Sequence, residues 1–288
     1  MKTYYFTKQL RALVAVLAVL LSLVGCSFDA GPELSPLTVT LLKVGKADAI
    51  VVLSDTHALL IDAGEEDDGD EITEFLQKHK IAEIDAMIIT HFDQDHVGGA
   101  DTVLDGFPVK TVYLPDYEST HPEYLDFLDA VNRTGTNVQS LTAPVSFRFG
   151  NADVLIEPPV SYESTAGSVD FDNNFSLITT IQHGDNRLVF MGDAEKQRIR
   201  QWLADSQPVT CDFLKVPHHG IYQKALAELF ETLKPQYAVI CSSEKNPAER
   251  KTLELLKQDC PSFFETKDGN VTVSSNGSTL EVQQKTKH

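Results

Sequence analysis

The segment IDAMIITHFDQDHVGG places four side chains able to ligate a metal within six residues: His91, Asp93, Asp95 and His96. An apolar run leads straight into them, and Gly98-Gly99 closes them off. A strand end running into a tight loop can aim alternate side chains into one cleft, while the adjacent pair Asp95-His96 reaches different sides of the same cluster. Imidazole and carboxylate together suit zinc, manganese or iron, and do not by themselves choose between them. Three further places end an apolar run in groups of the same kind: ALLIDAG with Asp62, RLVFMGDAE with Asp193, and CDFLKVPHHG with His218 and His219. An Asp after a strand is usually a turn residue or a helix cap, so none of these would count alone. Taken with the His91 loop they form a set of carboxylates and imidazoles delivered from strand ends, the arrangement a two-metal hydrolase needs. The other five histidines, His57, His79, His121, His183 and His288, lack such context and read as surface or structural. There is no GxSxG and no credible Ser-His-Asp set, so covalent catalysis has little support.

Such groups need strand ends to hold them. From Leu37 onward, short apolar runs alternate with amphipathic stretches, with no repeat, low-complexity tract or linker after Pro36. The pattern predicts strands over 37–41, 49–53, 58–61, 86–89, 111–114, 154–157, 176–181, 188–191, 213–216, 237–241, 271–274 and 279–282. Many are near-continuous apolar runs, as expected of strands covered on both faces. Helices are predicted over 71–79, 122–131 with Pro122 in the first turn, 194–203, 223–233 and 248–257. This mixture means an α/β (α+β) body with two sheets covered by helices. The long loops are 62–70, 115–120 and 157–174, and loops of that length tend to be functional.

The chain has 288 residues, 42% of them hydrophobic, which is enough to fill a core. Lys plus Arg number 24 against 42 Asp plus Glu, a formal charge of −18. Whole-surface binding to nucleic acid is disfavoured by that balance, while a local basic strip is not. Residues 1–25 read as a signal peptide: Lys2, Lys8 and Arg11 precede the uncharged run from Ala12 to Val24, which is too short to span a bilayer. The ending Leu23-Val24-Gly25-Cys26 looks like a bacterial lipobox, which implies cleavage before Cys26 and a lipid on its thiol. Removing the peptide loses two Lys, one Arg and no acid, so the charge moves from −18 to −21. Residues 26–36 read as the lipidated Cys and a short tether. Cys211, Cys241 and Cys260 remain; no pair has zinc-ligand spacing, a Cys241–Cys260 bridge is open, and three small buried apolar residues is the simpler reading.

The order Asp62, THFDQDHVGG, MGDAE, PHHG resembles the metallo-β-lactamase-fold superfamily and, more closely, the hydrolase-like domain at the end of ComEC competence proteins and its free-standing relatives. LLKVGKADAIVV near the start, and YAVICSSEKN and ETKDGNVTVSSNG near the end, are similar to that group too, so the resemblance spans residues 37–284. It implies a four-layer αββα sandwich with two divalent metal ions at one edge between the sheets. By the same resemblance His91 and Asp93 would serve one metal, and Asp95, His96 and one His of the pair, His218 or alternatively His219, the other. Asp193 would bridge, Asp62 would orient the cluster from behind, and Asp95, Asp193 and His218 would carry the catalysis. The superfamily usually has a His at the place of Asp93 and another from mid-chain. Here DNNFSLITT puts Asn174 and Ser176 in that place, making one site less nitrogen-rich and manganese a rival to zinc. Ile221-Tyr222 after HHG, and the absence of a His shortly after Asn246, are further departures.

The resulting expectation is a metal-dependent hydrolase, anchored to a bacterial membrane through Cys26, that cleaves a phosphodiester outside the cytoplasm with a metal-activated water. DNA or a smaller phosphodiester would be the substrate. The alternative is a non-catalytic envelope lipoprotein that binds nucleic acid or a protein partner, and β-lactam hydrolysis ranks behind both because of Asp93 and the missing mid-chain His.

Overall fold

A computed structural model describes residues 34–162, 172–206 and 210–285. The stretch expected to be a signal peptide, Cys26 and the expected tether as far as Glu33 lie outside the described residues. Leu34–Pro36 already join the body: the backbone carbonyl of Ser35 accepts from His183 Nε2 at 3.1 Å.

Fifteen strands among the described residues form two sheets. The first contains β1 (Leu37–Leu41), β2 (Ala49–Ser54), β3 (His57–Ala63), β4 (Ala86–Ile88), β5 (Thr111–Pro115) and β6 (Asn137–Leu141), joined at one edge by β14 (Asn270–Ser275) and β15 (Leu280–Lys285). Its order is β15-β14-β1-β2-β3-β4-β5-β6. The second runs β13-β12-β11-β10-β9-β8-β7, from β7 (Val145–Phe149), β8 (Ala152–Glu157), β9 (Ile178–His183), β10 (Asn186–Phe190), β11 (Phe213–Lys215), β12 (Tyr237–Ile240) and β13 (Ser262–Glu265). Each sheet is antiparallel on one side and parallel on the other: β3 to β6 are parallel neighbours, and so are β10 to β13.

Side-chain alternation along these strands builds the layers. Val39, Leu41, Ile50, Val52, Leu59 and Ile61 of the first sheet meet Val154, Ile156, Ile181, Leu188 and Phe213 of the second in the central core. The opposite face of the first sheet, with Val51, Leu60, Met87, Ile89 and Val112, packs on α1 (Gly69–Lys78), α3 (Ala100–Gly106) and α4 (Pro122–Thr134). The outer face of the second, with Val189, Leu214, Val216 and Ala238, packs on α5 (Lys196–Ser206), α6 (Ala225–Leu233) and α7 (Arg250–Asp259). The four-residue α2 (Gln94–Val97) is a single helical turn in the loop after β4. The layers are therefore αββα, as the family resemblance implied. Cys211, Cys241 and Cys260 are buried and free, so the open Cys241–Cys260 bridge is absent.

The predicted strands and the five longer helices all appear, with ends moved by a few residues. Three strands, Asn137–Leu141, Val145–Phe149 and Ser262–Glu265, were not predicted. Each is the terminal strand of a sheet or its neighbour in chain order, where one side needs no apolar cover. Asn137–Leu141 is polar except at Val138 and Leu141. The ends of β3, β4, β10 and β11 open on one edge of the sandwich.

Candidate metal centre

Thr90, just past β4, organises the first half of this edge. Its amide donates to Asp62 Oδ1 at 2.7 Å and its hydroxyl to Asp62 Oδ2 at 2.8 Å. With its proton spent there, the same hydroxyl oxygen is left to accept from His91 Nδ1, 3.0 Å away. Asp62 Oδ2 also lies 2.8 Å from His96 Nδ1. Both imidazoles thus point Nδ1 into this network and turn Nε2 toward the same space. Asp62 reaches this position with φ of 58°, in the left-handed region, an uncommon state for a residue with a Cβ and typical of functional sites.

The turn α2 brings in Asp95 and His96, and Gly98-Gly99 lets it sit against the chain leaving β3. A Cβ on Gly98 would lie 2.4 Å from the Gln94 carbonyl oxygen and 2.6 Å from the Glu66 nitrogen; one on Gly99 would lie 2.5 Å from the Ala63 carbonyl oxygen. The glycine pair is therefore a requirement of close backbone approach.

The second sheet supplies the rest. Asp193 follows β10, and its amide donates to Ser176 Oγ at 3.2 Å. His218 and His219 follow β11 in a 3-10 turn, both in the left-handed region at φ 49° and 51°. His219 Nε2 lies 3.0 Å from Asp193 Oδ2 and 3.3 Å from Asp95 Oδ2, while His96 Nε2 lies 3.3 Å from Asp193 Oδ1. Asp93, partly exposed at the mouth, lies 3.5 Å from His91 Nε2.

Of the pair left open by the sequence, His219 is the ring that enters the cluster with Asp95 and His96. His218 stands beside it, its Nε2 4.0 Å from Asp193 Oδ2 and its Nδ1 3.5 Å from Glu195 Oε1. Asn174 is turned away: its side-chain oxygen accepts from the Arg198 amide at 3.0 Å, so it serves the start of α5 rather than the cluster. Ser176, its companion in the mid-chain segment, holds Asp193 in place through the backbone.

Three charged residues that the sequence reading passed over also converge here. Asp48 and Lys215 are wholly buried and form an ion pair. Lys215 Nζ also donates to the Gly192 carbonyl at 3.0 Å and lies 3.5 Å from Asp193 Oδ1. Asp48 Oδ1 faces His219 Nδ1 at 3.7 Å. Lys46 pairs with Asp95 Oδ2 at 2.7 Å. A signal for Lys215 and Asp48 existed, since each is a lone charge set in or against an apolar strand, where an unpaired charge is too costly to keep.

Burial opposes ionisation of Asp193, but the charges of His219, His96 and Lys215 outweigh it and hold the carboxyl well below its usual range. Burial is likewise outweighed at Asp95, by the His219 hydrogen bond and the His96 charge. Burial would strip the proton from His96, yet Asp193 and Asp62 push it well above the ordinary imidazole range, and Asp193 and Asp95 raise His219 to about 9. His218 moves the other way, lowered chiefly by burial. The carboxylates are thus ionised and crowd positive charge around them.

The donors fit a divalent cation. His91 Nε2, His96 Nε2 and Asp193 Oδ1 are buried without hydrogen-bond partners, a costly state that a metal would relieve, and Asp95 Oδ2 and His219 Nε2 lie beside them. They fall into two groups that share His96, one with His91 and Asp193 and one with Asp95 and His219, each with ligand atoms within 4.8 Å of one another.

Residues 42–244 match the Metallo-beta-lactamase superfamily. ComE operon protein 3 of Bacillus subtilis is 26% identical over 202 residues, which cover 69% of this chain and 25% of that protein. Recombination protein 2 of Haemophilus influenzae is 26% identical over 211 residues, covering 72% of this chain and 24% of that protein. The chain thus matches about a quarter of the length of these relatives. Among solved structures, the metallo-beta-lactamase fold protein YhfI of Bacillus subtilis superposes with a TM-score of 0.52 at 11% identity, over 79% of this chain and 95% of that one. The matched span contains every residue of the cluster, and the chain belongs to the Metallo-beta-lactamase superfamily, with the two-sheet hydrolase fold of that family and ComEC-like relatives.

Proposed function

We propose that the protein is a metal-dependent phosphodiesterase that works outside the cytoplasm, held to a bacterial membrane by a lipid on Cys26. The observation that carries this reading is the donor set itself: buried, unpartnered imidazole and carboxylate atoms from both sheets aim at one space, with Asp in place of imidazole at Asp93. A carboxylate-rich set of this kind favours harder ions such as manganese as well as zinc, and those suit phosphoryl oxygens. One relative is named for recombination, which fits a substrate with phosphodiester bonds.

His91, Asp93 and Asp193 would hold one ion, and Asp95, His96 and His219 the second. When bound, two divalent ions would acidify a water toward neutral pH and offset the negative charge that develops on a phosphoryl oxygen. The chain's own contributions are readable. Thr90 and Asp62 fix the orientation of the His91 and His96 rings. Lys215 balances Asp48 and Asp193 inside the fold. His218 stands at the rim beside the cluster, its Nδ1 facing Glu195.

The test is metal content and hydrolysis of bis-p-nitrophenyl phosphate, single-stranded DNA and nitrocefin by the purified protein, beside the double variant Asp95→Ala/His96→Ala. Bound metal, with phosphodiester turnover that disappears in the variant, is the expected result. Turnover of nitrocefin alone would move the protein to β-lactam chemistry. Absence of both metal and turnover after manganese or zinc is supplied would sink the reading in favour of a binding protein. Anchoring is tested separately: Cys26→Ser is expected to release the protein from the membrane fraction.

A further inference from the structure

The antiparallel extension β15-β14-β1 continues the first sheet beyond the reach of its helical cover. Val39, Leu41, Val271 and Val273 face the central core, so the alternate residues Thr38, Thr40 and Thr272 face outward. Gln283 and Lys285 line the same outer side from β15. Helix α1 stands alongside and contributes Phe75, Lys78 and His79. Between helix and strands runs a groove of about 490 Å³.

Its lining differs from the rest of the chain in sign. Lys43, Lys78, Lys285 and His79 line it, with Glu281 one pair further along the same side of β15, although acids outnumber Lys plus Arg in the chain by 42 to 24. The floor is apolar, built from Leu53, Phe75 and the threonine methyls. Phe75 and His79 stack with ring centroids 4.2 Å apart, and His79 Nδ1 donates to the Phe75 carbonyl at 2.8 Å, which fixes the exposed ring. Cations on the rim, an aromatic pair and hydroxyl groups are the elements with which proteins hold single strands: the cations take phosphates and the rings take base faces.

The groove also starts at the metal edge. Lys43 lies just past the end of β1, its amide donating to Asn270 Oδ1 at 2.9 Å, and Asn270 pairs with Lys285. The same loop continues to Lys46 and Asp48, which face the metal ligands. Two strand spacings separate β1 from β3, which carries Asp62, a distance of roughly 10 Å. A five-residue strand is roughly 17 Å long, about the length of five stacked nucleotides.

We propose that the groove between α1 and the β1-β14-β15 face is an accessory site for a single-stranded polynucleotide, which it holds beside the metal centre. This deepens the phosphodiesterase reading, but its test does not depend on turnover. The full chain is titrated in EDTA with a short fluorescein-labelled oligodeoxythymidylate, and anisotropy is followed at several salt concentrations. The variant Lys43→Gln/Lys78→Gln/Lys285→Gln is expected to bind at least tenfold more weakly, with the log–log salt slope reduced by about 2. His79→Ala alone is expected to weaken binding by about fivefold or more, the loss of one base contact. All these side chains are exposed and outside the metal cluster, so hydrolysis of bis-p-nitrophenyl phosphate by the variants should match that of the parent.

Equal oligonucleotide binding by the triple variant and the parent, or no binding by either, overturns the proposal. So does lysine-dependent binding to phosphatidylglycerol vesicles without oligonucleotide binding, which would make the groove a lipid-headgroup site. Lysine-dependent oligonucleotide binding by a protein that hydrolyses no phosphodiester upholds the groove and removes the phosphodiesterase reading alone.

Discussion

Lys215 sits where an ammonium has no access to water, and it persists because Asp48 and Asp193 surround it. Removing one member of such a set leaves uncompensated charge in the interior, which costs about 3–5 kcal/mol. Lys215→Met is therefore expected to lose stability on that scale in urea unfolding with EDTA present, although its stem is replaced at similar volume. Asp62 is a different case, since it meets the cluster only through Thr90 and His96. Asp62→Ala should keep the fold but free the His96 ring, lowering metal affinity by about 10- to 100-fold in a competition titration with a coloured chelator. These two residues also mark what the sequence could reveal. Asp62 was legible because it ends an apolar run, as His91, Asp95, His96, Asp193 and His219 do. Asp48 and Lys215 were harder to see because their meaning lies in pairing across two sheets, between positions far apart in the chain.

At the scale of elements, the loop from β3 into α1 is held by Asp68, whose Oδ2 accepts from the Glu65 amide at 2.8 Å. Burial raises its carboxyl to about 6, with the charges of Glu65, Glu71 and Asp67 adding to the shift and the Glu65 hydrogen bond opposing it. The folded pKa is above the unfolded value, so between roughly pH 4 and 6 the folded state binds more protons. This carboxyl therefore disfavours folding above pH 6, and the penalty fades as pH falls toward 4. Asp68→Asn retains an acceptor for Glu65 and should raise Tm by about 1–3 °C at pH 7.5, with the gain gone near pH 4 in thermal scans across that range. Gly98→Ala tests the next turn: its Cβ would meet backbone at 2.4 and 2.6 Å, and a cost of about 2–3 kcal/mol in urea unfolding is expected. Elements with apolar periodicity, such as β1 to β5 and α4, could be read from the sequence. Val145–Phe149 and Ser262–Glu265 could not, because half-covered strands need little hydrophobic signature, and neither could the short turn Gln94–Val97, whose residues are chosen for ligation rather than helix propensity.

Across the whole molecule, the two sheets meet at the candidate metal centre with complementary parts. His91, Asp95 and His96 come from the end of β4 and the turn after it, whereas Asp193 and His219 come from the ends of β10 and β11. A cation there would tie the halves of the sandwich together at an edge where buried polar atoms now lack partners. Binding to the folded state alone adds RT ln(1 + [L]/Kd), about 2.7 kcal/mol at a hundredfold excess over Kd. For a chain of this size that corresponds to a rise in Tm of about 5–10 °C. Differential scanning calorimetry of EDTA-treated protein, with and without added manganese or zinc, should show the rise, and Asp95→Ala should lose most of it. Because the ligands are divided between the sheets, the rise should come as an upward shift of one transition. Two separated transitions, with only one moved by metal, would mean that the ligands of one sheet suffice and that the other sheet plays no part in holding the ion.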